Sequence, residues 1–432
     1  MEKILLKNVN IYDGKIESDV LYDYDILIED GLIKKIAKDI QIKNIKTIKL
    51  NGAYVIPGLI NLHVHLPASG NISKSKVSDM KKLVSFISDT KIGRFIGLKI
   101  CAKNAKTELL SGVTTIRTVG GISNFDSILK NKINNKKIIG PRILCANMAI
   151  GVKNGHMDGT VAKAALTNQD AIEMINKRKQ EGVDLIKLMI TGGILDTNEK
   201  GVIGLLKMPP EMVKACTKRA HELNLKVAAH VESKQGVEVA ILNGVDTIEH
   251  GANVTADILN LFKKQNGSFV ATFSPAIPLS YLNPTLLGYD EIAKYNSNVL
   301  LSGMIEFTRK CLSKNILVGL GTDTGCPLVT HYNMWRELVF LTKCVKEIDN
   351  KHAINMATLK NAMIANIDNI TGSIEEGKSA DLLILKENPI LSLETLKNPL
   401  YVVGKGKIYK SKIKRLKKVE NLLDEATNLL NK

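Results

Sequence analysis

Five side chains able to hold a transition metal recur at comparable places in short apolar runs. His63 and His65 lie in LINLHVH, His230 closes KVAAH, His250 closes DTIEH, and Asp323 closes VGLGTD. In an extended strand, residues i and i+2 point to the same face, so the His63 and His65 imidazoles can converge on one ion. Four imidazoles and a carboxylate form a mixed N/O donor set suited to Zn²⁺ and to Mn, Fe or Co. Lys187 stands apart, flanked by apolar residues in DLIKLMITGG. A bare ammonium buried there is costly. The lysine can snorkel to solvent, persist as a neutral amine of depressed pKa, or carry an added carboxyl group and bridge two metals as an anion. His156, in NGHMDG, lies less clearly near a strand end.

These residues meet only if the fold gathers strand ends in one place. From about 56 to 370 the chain alternates short apolar runs with amphipathic segments. The runs are LINLHVH, VTTIRTV, RILCANMAI, LIKLMITG, KVAAHV, DTIEHG, SFVATFS and ILVGLGTD, and segments 169–180, 210–223 and 299–313 have helical patterns. Strands alternating with helices imply βα units and a parallel sheet, and eight strands over this length imply a closed (β/α)8 TIM barrel. In such a barrel all strand C-termini share one rim, where Asp323 and the four histidines would converge.

The two ends of the chain have a different rhythm. The first fifty residues alternate with period two, with Asp13-Gly14 and Asp30-Gly31 placed as hairpin turns. A matching pattern returns at 374–410. The expected organisation is an α/β chain in which 1–56 and 371–412 form a small β-sandwich, 57–370 the (β/α)8 barrel, and 413–432 a Lys-rich helical tail.

With 432 residues, 44% hydrophobic and 24% charged, the chain can bury a large core. The net charge of +17 invites a nucleic-acid reading, but 52 of the 60 basic residues are Lys and aromatics make up only 4%. Phosphate and base-edge recognition favour clustered Arg, so no nucleic-acid partner is expected. The six cysteines show no CxxC spacing, which reads as reduced, buried thiols. No apolar leader or membrane-length run occurs. The expectation is a cytoplasmic protein with no membrane partner and a homo-oligomeric state.

The residues VIPGLINLHVH, the lysine of LIKLMITGG, VAAHVES, DTIEHGAN and GTDTG resemble the amidohydrolase superfamily in order and spacing. ATLKNAMIANIDNITGSIEEGKSADLLIL resembles that superfamily's C-terminal signature, so the resemblance spans residues 1 to 410. SGVTTIRTVGG, GPRIL and the GHMDG loop are similar to the imidazolonepropionase-related group that includes Xaa-Pro dipeptidases. Two positions depart from that group. Thr118, rather than an acid, follows Arg117, and residues 154–159 read NGHMDG where relatives show a GGHG-like loop.

The resemblance implies a binuclear site. His63 and His65 would hold the more buried metal with Asp323, and His230 and His250 the second. Lys187, as an N6-carboxylysine, would bridge two divalent ions, zinc foremost, together with a hydroxide. The implied enzyme is a metal-dependent hydrolase that cleaves a C–N amide bond, with Asp323 as catalytic proton shuttle. The expected substrate carries a carboxylate, as a dipeptide or N-acyl amino acid does, with His156, Arg117 and His331 as candidate substrate contacts and Lys153 as a further basic group nearby. The alternatives are a cyclic-amide hydrolase (imidazolone, hydantoin or enamide type) and a single-metal heterocycle deaminase. Specificity is expected in the loops 67–96, 151–168 and 275–298. His221 and His352 read as surface residues.

Overall fold

The computed structural model describes residues 3–71 and 77–430. Residues 72–76 of the expected loop 67–96, and residues 1–2 and 431–432 at the chain ends, lie outside the described residues.

Four strands open the chain: β1 (Lys3–Ile11), β2 (Leu21–Glu29), β3 (Leu32–Ala37) and β4 (Lys46–Pro57). Ten follow in the middle: β5 (Leu59–Val64), β6 (Val113–Thr118), β7 (Arg142–Cys145), β8 (Ala149–Val152), β9 (Ala162–Ala165), β10 (Leu185–Met189), β11 (Lys226–Val231), β12 (Thr247–His250), β13 (Ser268–Ala271) and β14 (Leu317–Leu320). Three close the chain: β15 (Leu382–Leu385), β16 (Tyr401–Gly404) and β17 (Lys407–Lys410).

The two chain ends form one seven-stranded sheet in the order β17-β16-β15-β4-β1-β2-β3. Alternate residues of β1 and β15, Ile4, Leu6, Leu382 and Ile384, share an apolar cluster with Ile26, Val55 and Val403. The sheet curls onto this cluster because the edge strand β3 bonds to the segment before β15, through Ile33 N–H to Lys378 O and Gly377 N–H to Ile33 O, both 2.8 Å. Asp30-Gly31 is the expected tight turn, with both residues at positive φ (52° and 86°).

Asp13-Gly14 is not a hairpin turn. It lies in the longer link 12–20, where the Asp13 carboxylate accepts from Lys15 N and Ser18 Oγ at 2.9 Å and the Asp13 carbonyl accepts from Ile374 N at 3.0 Å. The turn therefore joins the N-terminal segment to the C-terminal one. Nor is the sheet wholly antiparallel, because β1 runs parallel to β4.

The barrel staves are β5, β6, β7 with β8, β10, β11, β12, β13 and β14. The third run, RILCANMAI, is one stave broken in its middle: β7 pairs with β6 and β8 pairs with β10. Asn147, in the break, holds a left-handed backbone with φ 58°. Closure between β14 and β5 uses Asp323 N–H to His63 O at 2.9 Å and His65 N–H to Thr324 O at 3.0 Å. Asn361, from the C-terminal signature, also bridges these staves. Its amide donates to Ile60 O (2.6 Å) and Leu320 O (2.9 Å), and its oxygen accepts from Leu320 N (2.9 Å). Gly321 is required by close approach, since a Cβ there would fall 2.4 Å from His63 Cβ.

Helices Asn168–Gln180, Pro210–Glu222 and Glu291–Ser313 occupy the expected segments. The expected loop 275–298 is instead largely helical, with Phe273–Tyr281 and Pro284–Leu287 preceding the helix that starts at Glu291. Glu337 makes this possible by accepting from the Phe273 and Ser274 N–H groups at 2.6 and 2.8 Å, capping a helix that begins inside the protein. In the tail, helix Lys417–Leu429 buries Val419, Leu423 and Ala426. Its Glu420 and Asp424 accept from Arg336 at 3.3 and 2.8 Å. Among the described residues, no helix is long and apolar enough to cross a membrane.

Candidate active site

At the C-terminal rim the expected residues meet. Ring centroids of His63 lie 5.3 Å from His65 and 4.9 Å from His250, and His250 lies 4.7 Å from His230. Donor atoms of His63, His250 and Asp323 lie within 4.8 Å of one another, and so do those of His230, Glu232 and His250. His65 adjoins the first group, with Nε2 3.2 Å from Asp323 Oδ1. His250 and Asp323 both hold left-handed backbone, with φ 68° and 55°. Non-glycine residues in that region cost on the order of 1–3 kcal/mol and collect at functional sites.

Three of the imidazoles are oriented from behind. His63 Nδ1 meets Glu249 Oε2 at 2.8 Å, His65 Nδ1 meets the Gly120 carbonyl at 2.8 Å, and His250 Nδ1 meets Thr272 Oγ1 at 2.7 Å. The Glu249 carboxylate and the Gly120 carbonyl can only accept, so those Nδ1 atoms carry the hydrogen and Nε2 presents a lone pair to the centre. Burial, and then the Lys187 charge, push the His63 pKa down to about 4, so this ring is neutral.

The ring Nε2 atoms and the Asp323 carboxylate therefore crowd electron pairs onto the centre. His63 and His65 each point Nε2 at Asp323 Oδ1, at 3.4 and 3.2 Å. Burial works against an ionised Asp323, and only positive charge among His63, His65 and His250, on the rings or on an ion between them, would hold its carboxyl well below the ordinary range. An ionised oxygen facing two lone pairs repels them unless a cation intervenes. Two buried nitrogens, Lys187 Nζ and His230 Nε2, have no hydrogen-bond partner. A donor set of this composition, with orphaned nitrogens, fits divalent metal.

Lys187 is fully buried, on an inward-facing position of β10. Burial lowers its pKa to about 8, against the opposing charges of Glu249 and Asp323. The snorkelling alternative is excluded by this geometry. His156 reaches the site from the loop after β8. Its ring stacks on His230 with centroids 4.1 Å apart and planes 8° from parallel, and its Nδ1 lies 2.6 Å from Asp196 Oδ2. Gly193 leaves room for it, since a Cβ there would fall 2.7 Å from the ring.

Two expected substrate contacts are corrected. Arg117 is buried below the rim, where Nε donates to Leu62 O (2.8 Å), Nη1 to Thr247 Oγ1 (3.2 Å) and Nη2 to Glu249 Oε1 (2.6 Å). All three of its nitrogens are engaged by protein, and its work is to hold Glu249. His331 is likewise enclosed, with Nδ1 3.0 Å from Glu108 Oε1 and Nε2 2.7 Å from the Ala68 carbonyl. It anchors the segment that follows His65. Lys153 is exposed. His221 and His352 bond to Asp246 and Asp349 on the surface, away from the rim.

Three site residues were not singled out by the sequence reading. Glu249 and Glu232 sit one residue before His250 and two after His230, inside DTIEH and VAAHVES. Burial raises the Glu232 carboxyl to about 8, although its Oε2 accepts from Ile194 N at 2.7 Å. Cys326 directs Sγ at Asp323 Oδ2 from 3.4 Å. The excursion 192–206 after β10, which supplies Asp196, is a further rim loop the sequence did not mark.

A model of the amidohydrolase family matches residues 54–409. The chain belongs to the amidohydrolase family. A solved structure from Bifidobacterium longum, described only provisionally as a prolidase, is 31% identical and superposes with a TM-score of 0.86, covering 98% of this chain and 99% of that one. A Xaa-Pro dipeptidase with methionine bound in its active site is 27% identical, with a TM-score of 0.81 over 95% of this chain and 100% of that one. Among curated relatives, the ochratoxinase of Aspergillus niger is 24% identical over 72% of this chain and 68% of its own length. The enamidase of Eubacterium barkeri is 26% identical over 89% and 87%. As a member of this family, the amidohydrolase is a hydrolytic enzyme acting on carbon–nitrogen bonds of small molecules, and its fold is the TIM barrel with an added sheet from the chain ends.

Proposed function

We propose that the chain is a binuclear metal-dependent amidohydrolase that cleaves the C–N amide bond of a carboxylate-bearing substrate, a dipeptide or an N-acyl amino acid. The observation that carries the reading is the buried, unpartnered Lys187 Nζ close to the His63, His230 and His250 imidazoles and to the Asp323, Glu232 and Glu249 carboxylates. His63, His65 and Asp323 would hold one ion, and His230 and His250 the other. Lys187, as an N6-carboxylysine, would contribute one oxygen to each ion. Zinc suits this N/O set best, with Mn, Fe or Co as alternatives. When bound, such ions polarise a carbonyl and allow hydroxide to exist near neutral pH.

The chain's own residues do the rest. Glu249 and Thr272 fix the His63 and His250 rings, so Nε2 faces inward before any ligand arrives. Asp323, ionised and at the centre, takes the proton of the attacking water at Oδ1 or Oδ2 and delivers it to the leaving nitrogen. His156 is held by Asp196 through Nδ1 and stacked on His230, which leaves Nε2 for the substrate; as an imidazolium it would donate from Nε2 to a substrate carboxylate or to the reacting carbonyl oxygen. A single-metal deaminase has no need of a lysine at this position, which ranks that reading below hydrolysis. The enzyme is further read as cytoplasmic and homo-oligomeric.

The test is reconstitution of the purified chain with defined metals, followed by assay against Xaa-Pro dipeptides, N-acyl amino acids and cyclic amides. Release of a free amino acid from the linear substrates is expected. Turnover confined to cyclic amides, or ammonia release from a heterocycle, would overturn the substrate assignment.

A further inference from the structure

Helix Lys91–Leu110 is apolar on two sides. Its inner face buries Gly93, Gly97, Cys101, Ala105 and Leu109. Its outer face carries Ile92, Phe95, Ile96 and Ile100, which are 69%, 59%, 43% and 39% exposed. A surface helix with a single buried stripe places polar residues there instead. The preceding helix Val77–Asp89 adds Leu83 and Phe86, 56% and 46% exposed. The two helices touch at Gly93, where a Cβ would fall 2.1 Å from the Phe86 carbonyl, so the outer faces adjoin. These six side chains offer roughly 600 Å² of apolar surface, against about 800 Å² per partner in a standard stable interface. A monomer rarely leaves a patch of that size uncovered.

The order of residues along the helix identifies what covers it. Ile92 and Ile100 lie four residues on either side of Ile96 and Lys103 seven beyond it, while Asp89 ends the preceding helix just before the N-cap Thr90. If two copies of the helix pack antiparallel about a two-fold axis at Ile96, Ile96 meets Ile96 and Ile92 meets Ile100 of the second copy. Lys103 of one copy then lies toward the N-terminal end of the other copy's helix, where Asp89 at the end of the preceding helix adjoins it. The Asp89 carboxylate is exposed and already positioned by Ser85 Oγ and Ser88 Oγ, each at 2.7 Å, and Lys103 is exposed. Such self-complementarity is what an isologous interface requires.

We infer that the outer face of the 77–110 helical hairpin docks against the same face of a second copy of this chain, about a two-fold axis at Ile96. The inference deepens the homo-oligomeric reading and is independent of the hydrolytic chemistry, so a monomer that cleaves amides would sink this proposal alone. The interface also bears on the site. Asn104, on the same helix, donates to Leu66 O (2.8 Å) and Ala68 O (3.2 Å), in the segment just after His65.

Light scattering coupled to size exclusion tests the pairing. The wild type should run at an even multiple of 47.4 kDa, and Ile96→Asp should halve its mass while circular dichroism stays unchanged. Ile96→Cys should form an intermolecular disulfide under mild oxidation. Lys106→Cys, whose copies stand ~30 Å apart across the axis, and the wild type should not. A monomeric wild type, an unchanged mass for Ile96→Asp, or cross-linking at residue 106 instead of 96 would overturn the inference. So would a monomer that floats with vesicles of phosphatidylcholine and phosphatidylserine, which would assign the face to a bilayer.

Discussion

Glu249 accepts from His63 Nδ1 at 2.8 Å through one carboxylate oxygen and from Arg117 Nη2 at 2.6 Å through the other. A single buried acid thus couples the barrel interior to the candidate metal centre. It fixes which nitrogen of His63 is free, and Arg117 fixes the acid. Glu249→Gln keeps the shape but can turn an amide N–H toward His63 and so favour the wrong tautomer. Metal affinity should fall about 10–100-fold, as it does when groups that orient ligands are lost. Competition with a chromophoric chelator measures it, and an affinity equal to wild type would refute the orienting role.

Acid stability should report the same pair. Burial alone would raise the Glu249 carboxyl, but Arg117 and the His63 hydrogen bond hold it far below the ordinary range. A carboxyl depressed in the folded state contributes stability above its unfolded pKa of about 4.3, and loses that contribution as pH falls toward the folded value. Metal-free wild type should therefore weaken steeply below about pH 4. Arg117→Met, which strands a buried charge, should be destabilised by about 3–5 kcal/mol near neutral pH. Urea titrations at a series of pH values give both numbers. A variant as stable as wild type at pH 7 would contradict the pairing.

Much of this centre could be read from the chain before any fold was known. The HxH pair, His230, His250 and Asp323 were identifiable because metal-ligand residue types at strand ends are few and stand out, and Lys187 because a charged side chain interrupts an apolar run. Glu249 and Glu232 were not, because an acid inside an apolar strand, as Glu249 is, or just past its end, as Glu232 is, carries no periodic signal. Its role depends on which stave lies opposite, and Arg117 is 132 positions away from Glu249 in the chain. The broken third stave was hidden for a similar reason, since RILCANMAI reads as one run and only pairing reveals the interruption at Asn147. Segment 275–298 read as a loop because Pro278 lies inside its first helix, and the Glu337 cap that permits this lies some sixty residues away.

For Asp323, a proton-handling role predicts a loss concentrated in turnover. Asp323→Asn should lower kcat by roughly 10²–10⁴-fold with a smaller change in KM, the range typical of general acid–base groups. Steady-state kinetics on metal-saturated protein separate the two. A defect in KM alone would remove Asp323 from the proton path.

His156 should act in recognition. Removing its ring by His156→Ala should raise KM for a carboxylate-bearing substrate, and esterifying that carboxylate should lower kcat/KM on wild type by an amount worth about 1.5–3 kcal/mol. The two effects should not add, because each removes the same contact. Full additivity in the double comparison would place the carboxylate elsewhere.

Lys187 carries the central claim. A neutral buried amine reacts with CO₂, and burial has already lowered this one to a pKa of about 8. Added bicarbonate should therefore improve metal loading, whereas Lys187→Ala should lose the paired ions and recover part of its activity with a small carboxylic acid. The most direct measurement is a crystal structure of the metal-loaded enzyme, with anomalous scattering to locate the ions. Branched density for a carboxylate at Lys187 Nζ, bridging two metals between the His63–His65–Asp323 and His230–His250 sets, is the predicted result. A free amine at Lys187 beside a single metal would contradict it and would put a single-metal deaminase or imidazolonepropionase-like hydrolase in its place.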